Sequence, residues 1–430
     1  MKLKLLFVLF VVQLSFAQQR TCGTDQYMQS VMANPQLKQQ YLDLQQQFED
    51  EMQRLSLARQ NGQSVNSPNV VTRIPVAVHY PSVSNASTET VKFCLRALAQ
   101  RQVNILNADY NATNSDINLW AAASPFYPGT TIGSMSVSFE LATQNHPAGT
   151  GLTNGVAAVT FGTDFLTAGN PNCGSCNLDT TWAGYCNLVV VNISGGILGF
   201  SPVPGSPAGG ATVVIDNNAF GAAMPVAPTT CSGYAPSAPY NLGRTLTHEL
   251  GHFFNLRHTF QSCDGANCAT SGDLVCDTPS ADTPWFTCGG PGEVSTNCGT
   301  TQLTMNYMDY VEDSCMYMFT AGQTARMTAQ YNVIAPQLLT NVLGNNDFVT
   351  RNFSIAPNPN DGTFAIQLKE QNDKFSVLII DAFGRIVYDN EFNQTVDLVQ
   401  TIQLDKVLIG IYFVTIESNG ETLTKKIIIE

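Results

Sequence analysis

His248-Glu249-Leu250-Gly251-His252-Phe253-Phe254-Asn255-Leu256-Arg257-His258 contains three of the five histidines of this 430-residue chain. His248 and His252 are four positions apart, so on a helix both imidazoles lie on one face and can bind one Zn²⁺. Glu249 follows the first histidine directly, where its carboxylate can act as a general base toward a water molecule at that metal.

The third histidine requires this helix to end early. A continuous helix would carry His258 about 15 Å along the axis from His248, whereas Zn–N bonds are about 2.1 Å long. Asn255 lies where the chain must reverse, and asparagine is, after glycine, the residue that most readily adopts the left-handed conformation that ends helices. Three neutral imidazoles with one open position are typical of a catalytic zinc. We therefore predict that His248, His252 and His258 bind a catalytic zinc.

The cluster resembles the metzincin motif HExxHxxGxxH, which is followed by a Met-turn. Asn255 replaces the glycine of the motif, and the run Asn306-Tyr307-Met308-Asp309-Tyr310, about fifty residues after His258, is similar to the turn. Three further runs resemble the pappalysin family, particularly its bacterial cytophagalysin-like branch: Gly195 to Phe200, Gly272 to Pro279 and Asp313 to Thr320. This likeness covers roughly residues 70 to 340.

The resemblance implies both a fold and roles for individual residues. The fold would be α+β, with a metzincin-like catalytic domain that has a twisted mixed sheet, an active-site helix and an irregular C-terminal subdomain. Met308 would lie beneath the zinc, and Tyr310 would act in catalysis by contacting the metal or the oxyanion. Family members also bind Ca²⁺ near the active site, so Asp264, Asp273 and Asp277 are calcium candidates.

The same resemblance implies how substrates bind. An extended peptide would pair with an edge strand in the region 195–201, because strand addition does not demand one particular sequence. Some pappalysins favour basic residues at the cleavage site, and Glu312 or Asp313 would suit such a pocket; the alternative is that either residue is a solvated loop charge. In the family, a cysteine placed like Cys315 is tied back into the preceding loop.

The N-terminal region predicts export and latency. Residues 1–17 have two lysines, an apolar stretch and a small-residue cleavage site, which indicates a signal peptide that is too short to span a membrane. Residues 18–66 form a candidate propeptide, helical from Pro35 to Arg59 and ending in a polar linker at 60–69. The catalytic domain is expected at 67–345.

Twelve cysteines suit an exported protein. We expect disulfides between Cys173 and Cys315, although Cys173 and Cys176 could instead form half of a zinc knuckle. Cys22 lies far from this group, and its thiolate could fill the open zinc position in a latent form, as in the similar Cys-Gly motif of pappalysin-like zymogens. The alternative is an ordinary disulfide. A free Cys22 leaves eleven cysteines, so a second one, such as Cys94, would also be unpaired.

Residues 346–430 are predicted to be a linker and a small β-sandwich. They contain neither cysteine nor histidine. The runs Phe353 to Gly362, Ile380 to Arg385, Gly410 to Tyr412 and Lys425 to Ile429 resemble the C-terminal sorting domain of type IX secretion cargo, which implies the type IX secretion machinery as a partner. A carbohydrate- or protein-binding module is the alternative for this domain.

Together these features predict a secreted or cell-surface zinc endopeptidase that is made as a latent zymogen and acts on proteins or peptides. The net charge of −13 and the absence of a basic cluster argue against a nucleic-acid partner. No apolar stretch is long enough to predict a transmembrane segment. The alternatives are a non-catalytic, zinc-containing surface protein and another kind of zinc amide hydrolase.

Overall fold

The computed structural model describes residues 20–61, 72–162, 164–222, 231, 233–264, 267–268, 270–343, 353–368, 374–381, 385–393, 399–404, 407–418 and 421–430. The predicted signal peptide and nearly all of the predicted linker at 60–69 lie outside these residues. Within the described part of the chain, no helix is both long enough and apolar enough to cross a membrane.

A six-stranded mixed sheet forms the centre of the predicted catalytic domain, as expected. Its strands are β1 (Thr72–Tyr80), β2 (Val137–Leu141), β3 (Val159–Phe161), β4 (Cys186–Val191), β5 (Gly199–Phe200) and β6 (Thr212–Asp216). The order is β2-β1-β4-β6-β5, and β3 also pairs with β1. All pairs are parallel except β5 with β6, which makes β5 an antiparallel edge strand. Strands β4 and β6 are buried along their whole length, which explains their continuous apolar runs.

The described residues up to 343 form six α-helices: α1 (Thr24–Ala33), α2 (Pro35–Gln60), α3 (Glu89–Tyr110), α4 (Trp120–Ala123), α5 (Arg244–Phe253) and α6 (Ala321–Ile334). Local sequence explains two of their starts. The Asn34 side chain accepts hydrogen bonds from the first free amides of α2, ahead of Pro35 at the first helical position. Thr320 and Gln323 form a reciprocal capping box at the start of α6. Helices α3 and α5 pack on one face of the sheet in the main hydrophobic core.

The chain between α5 and α6 is irregular, and its described residues include neither a strand nor an α-helix. Three disulfides cross-link this irregular chain: Cys263–Cys298, Cys268–Cys276 and Cys288–Cys315. The last of them ties Cys315 into the preceding loop, as the resemblance implied. Covalent links replace the hydrogen-bonded ladders that hold the sheet together.

The remaining cysteines decide two alternatives left open by the sequence. Cys173 and Cys176 form a disulfide, not half of a zinc knuckle. The suggestion that Cys94 is unpaired is wrong, because Cys94 on α3 bonds to Cys231, 137 residues away. The free cysteines of the described chain are Cys22 and Cys186, and Cys186 is buried within β4. Cys22 is therefore free of any disulfide, as predicted.

The C-terminal region forms two antiparallel sheets, which confirms the small β-sandwich. One sheet has the order β10-β9-β12-β13 and the other β11-β8-β7. The strands are β7 (Phe353–Ala356), β8 (Thr363–Leu368), β9 (Lys374–Asp381), β10 (Ile386–Asn393), β11 (Val399–Gln403), β12 (Gly410–Ser418) and β13 (Glu421–Ile429). Alternating apolar residues from strands of both sheets form its separate core, including Phe364, Val377, Val414 and Ile427.

Candidate metal centre

Helix α5 presents the first two histidines on one face, directly below the edge strand β5. All ten residues of this helix are buried, and it ends at Phe253. Glu249 lies close to β5, since a methyl group added at Gly199 would come within 2.8 Å of the Glu249 side chain. The edge strand therefore passes directly over the predicted general base.

The turn after α5 is the one that the sequence required. Asn255 has φ of 69°, in the left-handed region, and its amide N–H donates to the His252 carbonyl at 2.8 Å. The chain then reverses, and the amide of Leu256 donates to Gly251. As a result, Nε2 of His258 lies 3.1 Å from Nε2 of His252.

Backbone contacts orient these imidazoles for metal binding. Nδ1 of His248 lies 2.6 Å from the Tyr307 carbonyl, and Nδ1 of His252 lies 2.8 Å from the Leu256 carbonyl. A carbonyl only accepts, so both Nδ1 atoms carry the proton and both Nε2 atoms keep a free lone pair. Nε2 of His248 is buried without a hydrogen-bond partner. The donor set thus fits a metal ion.

Burial also keeps the three imidazoles neutral. It lowers the pKa of His252 to about 4 and holds the pKa values of His248 and His258 well below the ordinary range. Neutral imidazoles are the form that binds metals. The ligand atoms of these histidines and of Cys22 all lie within 4.8 Å of one another. Three nitrogens and one sulfur at this spacing suit a tetrahedral zinc ion.

Cys22 comes from the N-terminal segment, which we define as residues 20–61. Its Sγ lies 3.6 Å from Nε2 of His252 and donates to the Glu249 carboxylate at 3.4 Å. Burial and then the Glu249 charge raise the pKa of this thiol well above its usual value. A thiolate here therefore needs a cation held by the histidines.

The backbone around Cys22 pairs with the edge strand. Cys22 forms a parallel bridge with Gly199, the Gly23 amide donates to the Gly199 carbonyl at 2.8 Å, and the Leu198 amide donates to the Thr21 carbonyl at 2.9 Å. The predicted substrate-pairing region is thus occupied by the N-terminal segment. A peptide substrate cannot pair with this edge until the segment leaves.

Thr24 gives the N-terminal segment a second contact with Glu249. Its hydroxyl donates to the Glu249 carboxylate at 3.2 Å and accepts from the Ser201 amide at 3.0 Å. Burial raises the pKa of Glu249 to about 8, while the hydrogen bonds from Cys22 and Thr24 lower it. Thr24 and Cys22 together cover the carboxylate.

Arg20 anchors the segment on the other side of Cys22. Its guanidinium pairs with Asp313 at 2.5 Å, and both side chains are buried. It also donates to the Val311 carbonyl at 3.2 Å and the Thr245 hydroxyl at 3.1 Å, and it lies over the Tyr240 ring. Asp313, one of the two acidic residues considered for a basic-residue pocket, therefore lines a buried pocket. The other, Glu312, is half-buried and takes no part in the ion pair with Arg20.

Met308 and Tyr310 surround the centre as the resemblance implied. Met308 is fully buried beneath α5, where Gly251 leaves space for its sulfur. The Tyr310 ring packs 5.1 Å from His258 and 5.8 Å from His248. Burial raises the pKa of Tyr310, whereas a hydrogen bond from the Cys22 backbone lowers it. The catalytic role of Tyr310 stays a prediction.

The three calcium candidates do not form one ligand cluster. Asp273 accepts hydrogen bonds from Thr278 and the Val275 amide, and Asp277 from Thr320 and the Gly322 amide. Asp264 is exposed. Among the described residues, these carboxylates belong to no group of three acidic, Cys or His ligand atoms within 4.8 Å. Calcium binding stays a prediction.

Sequence reasoning did not identify Arg20, Thr24 and Asn255 as contact residues. Arg20 and Thr24 lie within two residues of Cys22, but their partners are more than 200 residues away. The two histidines outside the cluster contact the surrounding structure. His79 is buried between Thr160 and Asn187, and His146 bonds to the Val156 carbonyl.

Comparison with known proteins identifies the two regions. Residues 226–332 match the family model described as pregnancy-associated plasma protein-A, which covers α5, the turn, Met308 and Tyr310. This match confirms the resemblance to the pappalysin family that the sequence motifs indicated. Residues 354–430 match the model of a secretion system C-terminal sorting domain.

Curated relatives of the chain carry the name extracellular metalloprotease. Extracellular metalloprotease 1 of Coccidioides posadasii is 39% identical over 145 residues, which is 34% of this chain and 49% of that protein. An extracellular metalloprotease of Colletotrichum graminicola is 37% identical over 151 residues, which is 35% of this chain and 50% of that protein. The chain thus matches about half the length of these relatives.

A solved structure resembles most of the chain. A mutant of Tannerella forsythia promirolysin has 27% identity and a TM-score of 0.51, covering 73% of this chain and 95% of that one. The sorting domain and the extracellular relatives indicate that the protein is secreted or held at the cell surface.

Proposed function

We propose that the protein is a zinc-dependent endopeptidase that is secreted in a latent form. The observation that carries this proposal is the convergence of His248, His252, His258 and Cys22 within 4.8 Å, with Glu249 beside them. The extracellular metalloproteases among the relatives support the same activity. The three histidines would hold the zinc, which when bound polarises the scissile carbonyl and the attacking water.

Glu249 is the general base in this proposal. Its carboxylate takes the proton of the attacking water and passes it to the leaving amine. The Tyr310 hydroxyl would donate a hydrogen bond to the oxyanion once the Cys22 backbone has left it.

Latency follows from where the N-terminal segment lies. Cys22 would fill the open zinc position, Thr24 covers Glu249, and the backbone around Cys22 occupies the edge strand. Residues 18–66 would then be the propeptide and 67–345 the catalytic domain. Replacing Cys22 by Ala should give premature activity or self-degradation of the uncut chain, and an unchanged latent period would contradict the thiol's role.

Substrates with a basic side chain would fit the pocket that Arg20 fills. Asp313 lies at its buried end and also accepts the Leu242 amide at 2.8 Å. Because an arginine can make a bidentate or multiply hydrogen-bonded pair, this pocket would favour arginine over apolar residues next to the scissile bond. Cleavage of peptide libraries with arginine, lysine or leucine at that position measures the preference.

The test of the activity is Glu249→Gln in protein from which the N-terminal segment has been removed. Glutamine keeps the size of the side chain but cannot accept the proton, so casein hydrolysis should fall by on the order of 10²- to 10⁴-fold while bound zinc stays at one per chain. A non-catalytic zinc protein would show no hydrolysis in the parent either. A zinc amide hydrolase of another class would cleave small amides but not casein.

The sorting domain implies a secretion machinery, and we propose that it is the type IX system. The β-sandwich has its own core, so its removal leaves the catalytic core residues in place. Deleting residues 351–430 should trap the protein in the periplasm and spare peptidase activity. Normal export of the shortened chain would contradict this partner.

A further inference from the structure

We propose that the catalytic region carries a docking face for helix α2. This face retains the N-terminal segment even when the Cys22 thiol does not bind in the cleft. We define the α2-docking face as Asn255, Arg326, Ala329 and Asn332. The inference deepens the proposed latency, because it concerns what holds the segment once the chain between it and β1 has been cut.

The first contact is made by the residue that departs from the metzincin motif. The side-chain amides of Asn255 and Gln45 exchange two hydrogen bonds, at 3.3 and 3.4 Å. Asn255 is buried and has φ of 69°, a conformation that glycine would adopt with less strain. Glycine would form the turn but could not bind Gln45. The asparagine therefore serves recognition of α2.

Arg326 connects this contact to an aromatic anchor. Its Nε donates to the Asn255 carbonyl at 2.7 Å, and its guanidinium lies 4.5 Å from the centre of the Phe48 ring. Both side chains are buried. A guanidinium over an aromatic face is attracted most strongly where water is excluded. Phe48 is thus the central residue of the contact.

Helix geometry extends the face along α6. Arg326, Ala329 and Asn332 are three positions apart and lie on one side of that helix. Phe48 and Leu55 form a small buried cluster with Ala329, and the Asn332 amide donates to the Glu51 carboxylate at 2.7 Å. Buried apolar residues with polar contacts at their edge are the arrangement of a binding interface.

The docking face acts apart from the contacts in the active-site cleft. Arg20 and Cys22, ahead of α1, and Thr24, its first residue, approach the zinc site, whereas α2 docks on the turn after α5 and on α6. One cut in the linker therefore leaves the segment bound. Activity should then rise on dilution, as the cut segment dissociates.

The test uses the full-length chain with a site-specific protease sequence in place of residues 63–69. Arg20→Ala and Cys22→Ser remove the two main cleft contacts. After cutting, size-exclusion chromatography at falling protein concentration, with mass detection of the released fragment, gives its dissociation constant. We expect the fragment to co-elute at micromolar concentration. Adding Phe48→Ala should weaken retention by on the order of 100-fold, the loss expected for a central anchor.

The matched control is Leu57→Ala, which removes a leucine of the same helix that is 51% exposed. It should leave the dissociation constant unchanged. Asn255→Gly keeps the turn and removes only the amide pair, so it should weaken retention by about tenfold even where Phe48→Ala misfolds. Equal retention in Phe48→Ala, Asn255→Gly and the control overturns the proposal, as does loss of the fragment from the parent.

Fragment retention is measured without substrate, so it separates the two proposals. A retained fragment in a protein that cleaves nothing would refute the peptidase and leave the docking face standing. A released fragment in an active peptidase would refute the docking face alone.

Discussion

Replacing Arg20 by Ala should expose Cys22 in the uncut protein. The Arg20 guanidinium forms a buried ion pair with Asp313 and donates two further hydrogen bonds, to Val311 and Thr245. Alanine keeps none of these contacts and leaves a buried carboxylate beside a cavity. Removing one partner of a buried ion pair costs about 3 to 5 kcal/mol.

That cost falls only on the closed state, in which the N-terminal segment lies in the cleft. When the segment leaves, water reaches Asp313 and the penalty disappears. Since 1.4 kcal/mol changes an equilibrium tenfold, the open state should be populated on the order of 10²- to 10³-fold more often. The reactivity of the Cys22 thiol should increase in the same proportion.

The assay is the rate at which a thiol reagent modifies Cys22 in the uncut chain. It requires no substrate and no peptidase activity. Cys186, the other free cysteine of the described chain, is buried in β4 and serves as the internal reference. Lys38→Ala, which removes an exposed cation of α2, is the matched control and should react like the parent. Equal Cys22 rates in Arg20→Ala and Lys38→Ala would refute the reasoning.

Two predictions concern the fold. Replacing Cys94 and Cys231 by Ala should lower the free energy of unfolding by about 5 kcal/mol in the chain-entropy model, because this disulfide closes a loop of 137 residues. The same replacement of Cys173 and Cys176 should cost only about 2 kcal/mol, because their loop spans 3 residues. Equal denaturation midpoints of the two variants would contradict this prediction. Burial lowers the pKa of His79 to about 4. Below pH 6.5 the unfolded chain therefore binds a proton at His79 that the folded chain does not bind. The free energy of unfolding should fall by about 3 kcal/mol between pH 7 and pH 4. In His79→Gln this pH dependence should be weaker, and identical melting curves across that range would count against it.

Local patterns predicted the parts of the site that lie close together in sequence. The spacing of His248 and His252 required a helix, the spacing of His258 required its early end, and Asn255 has the left-handed conformation that this reversal needs. Helix α2 extends over Pro35–Gln60, one residue beyond the predicted end. In each case, neighbouring residues determine the geometry.

Contacts between distant residues could not be predicted in the same way. The partner of Cys94 is 137 residues away, and Arg20 meets Asp313 across nearly the whole catalytic region. No local pattern specifies either pairing. Strand β11 also lacks a local signal, because only Ile402 of its five residues is buried and the period-two pattern of apolar residues is weak.

The central claim is that three histidines and Cys22 bind one zinc ion in the latent protein. X-ray absorption at the zinc edge, recorded on the uncut full-length chain, tests it most directly. We predict three nitrogen ligands at about 2.0 to 2.1 Å and one sulfur ligand at about 2.3 Å. In Cys22→Ala the sulfur ligand should be replaced by oxygen. A spectrum of the uncut parent without a sulfur ligand, or with fewer than three nitrogens, would contradict the account.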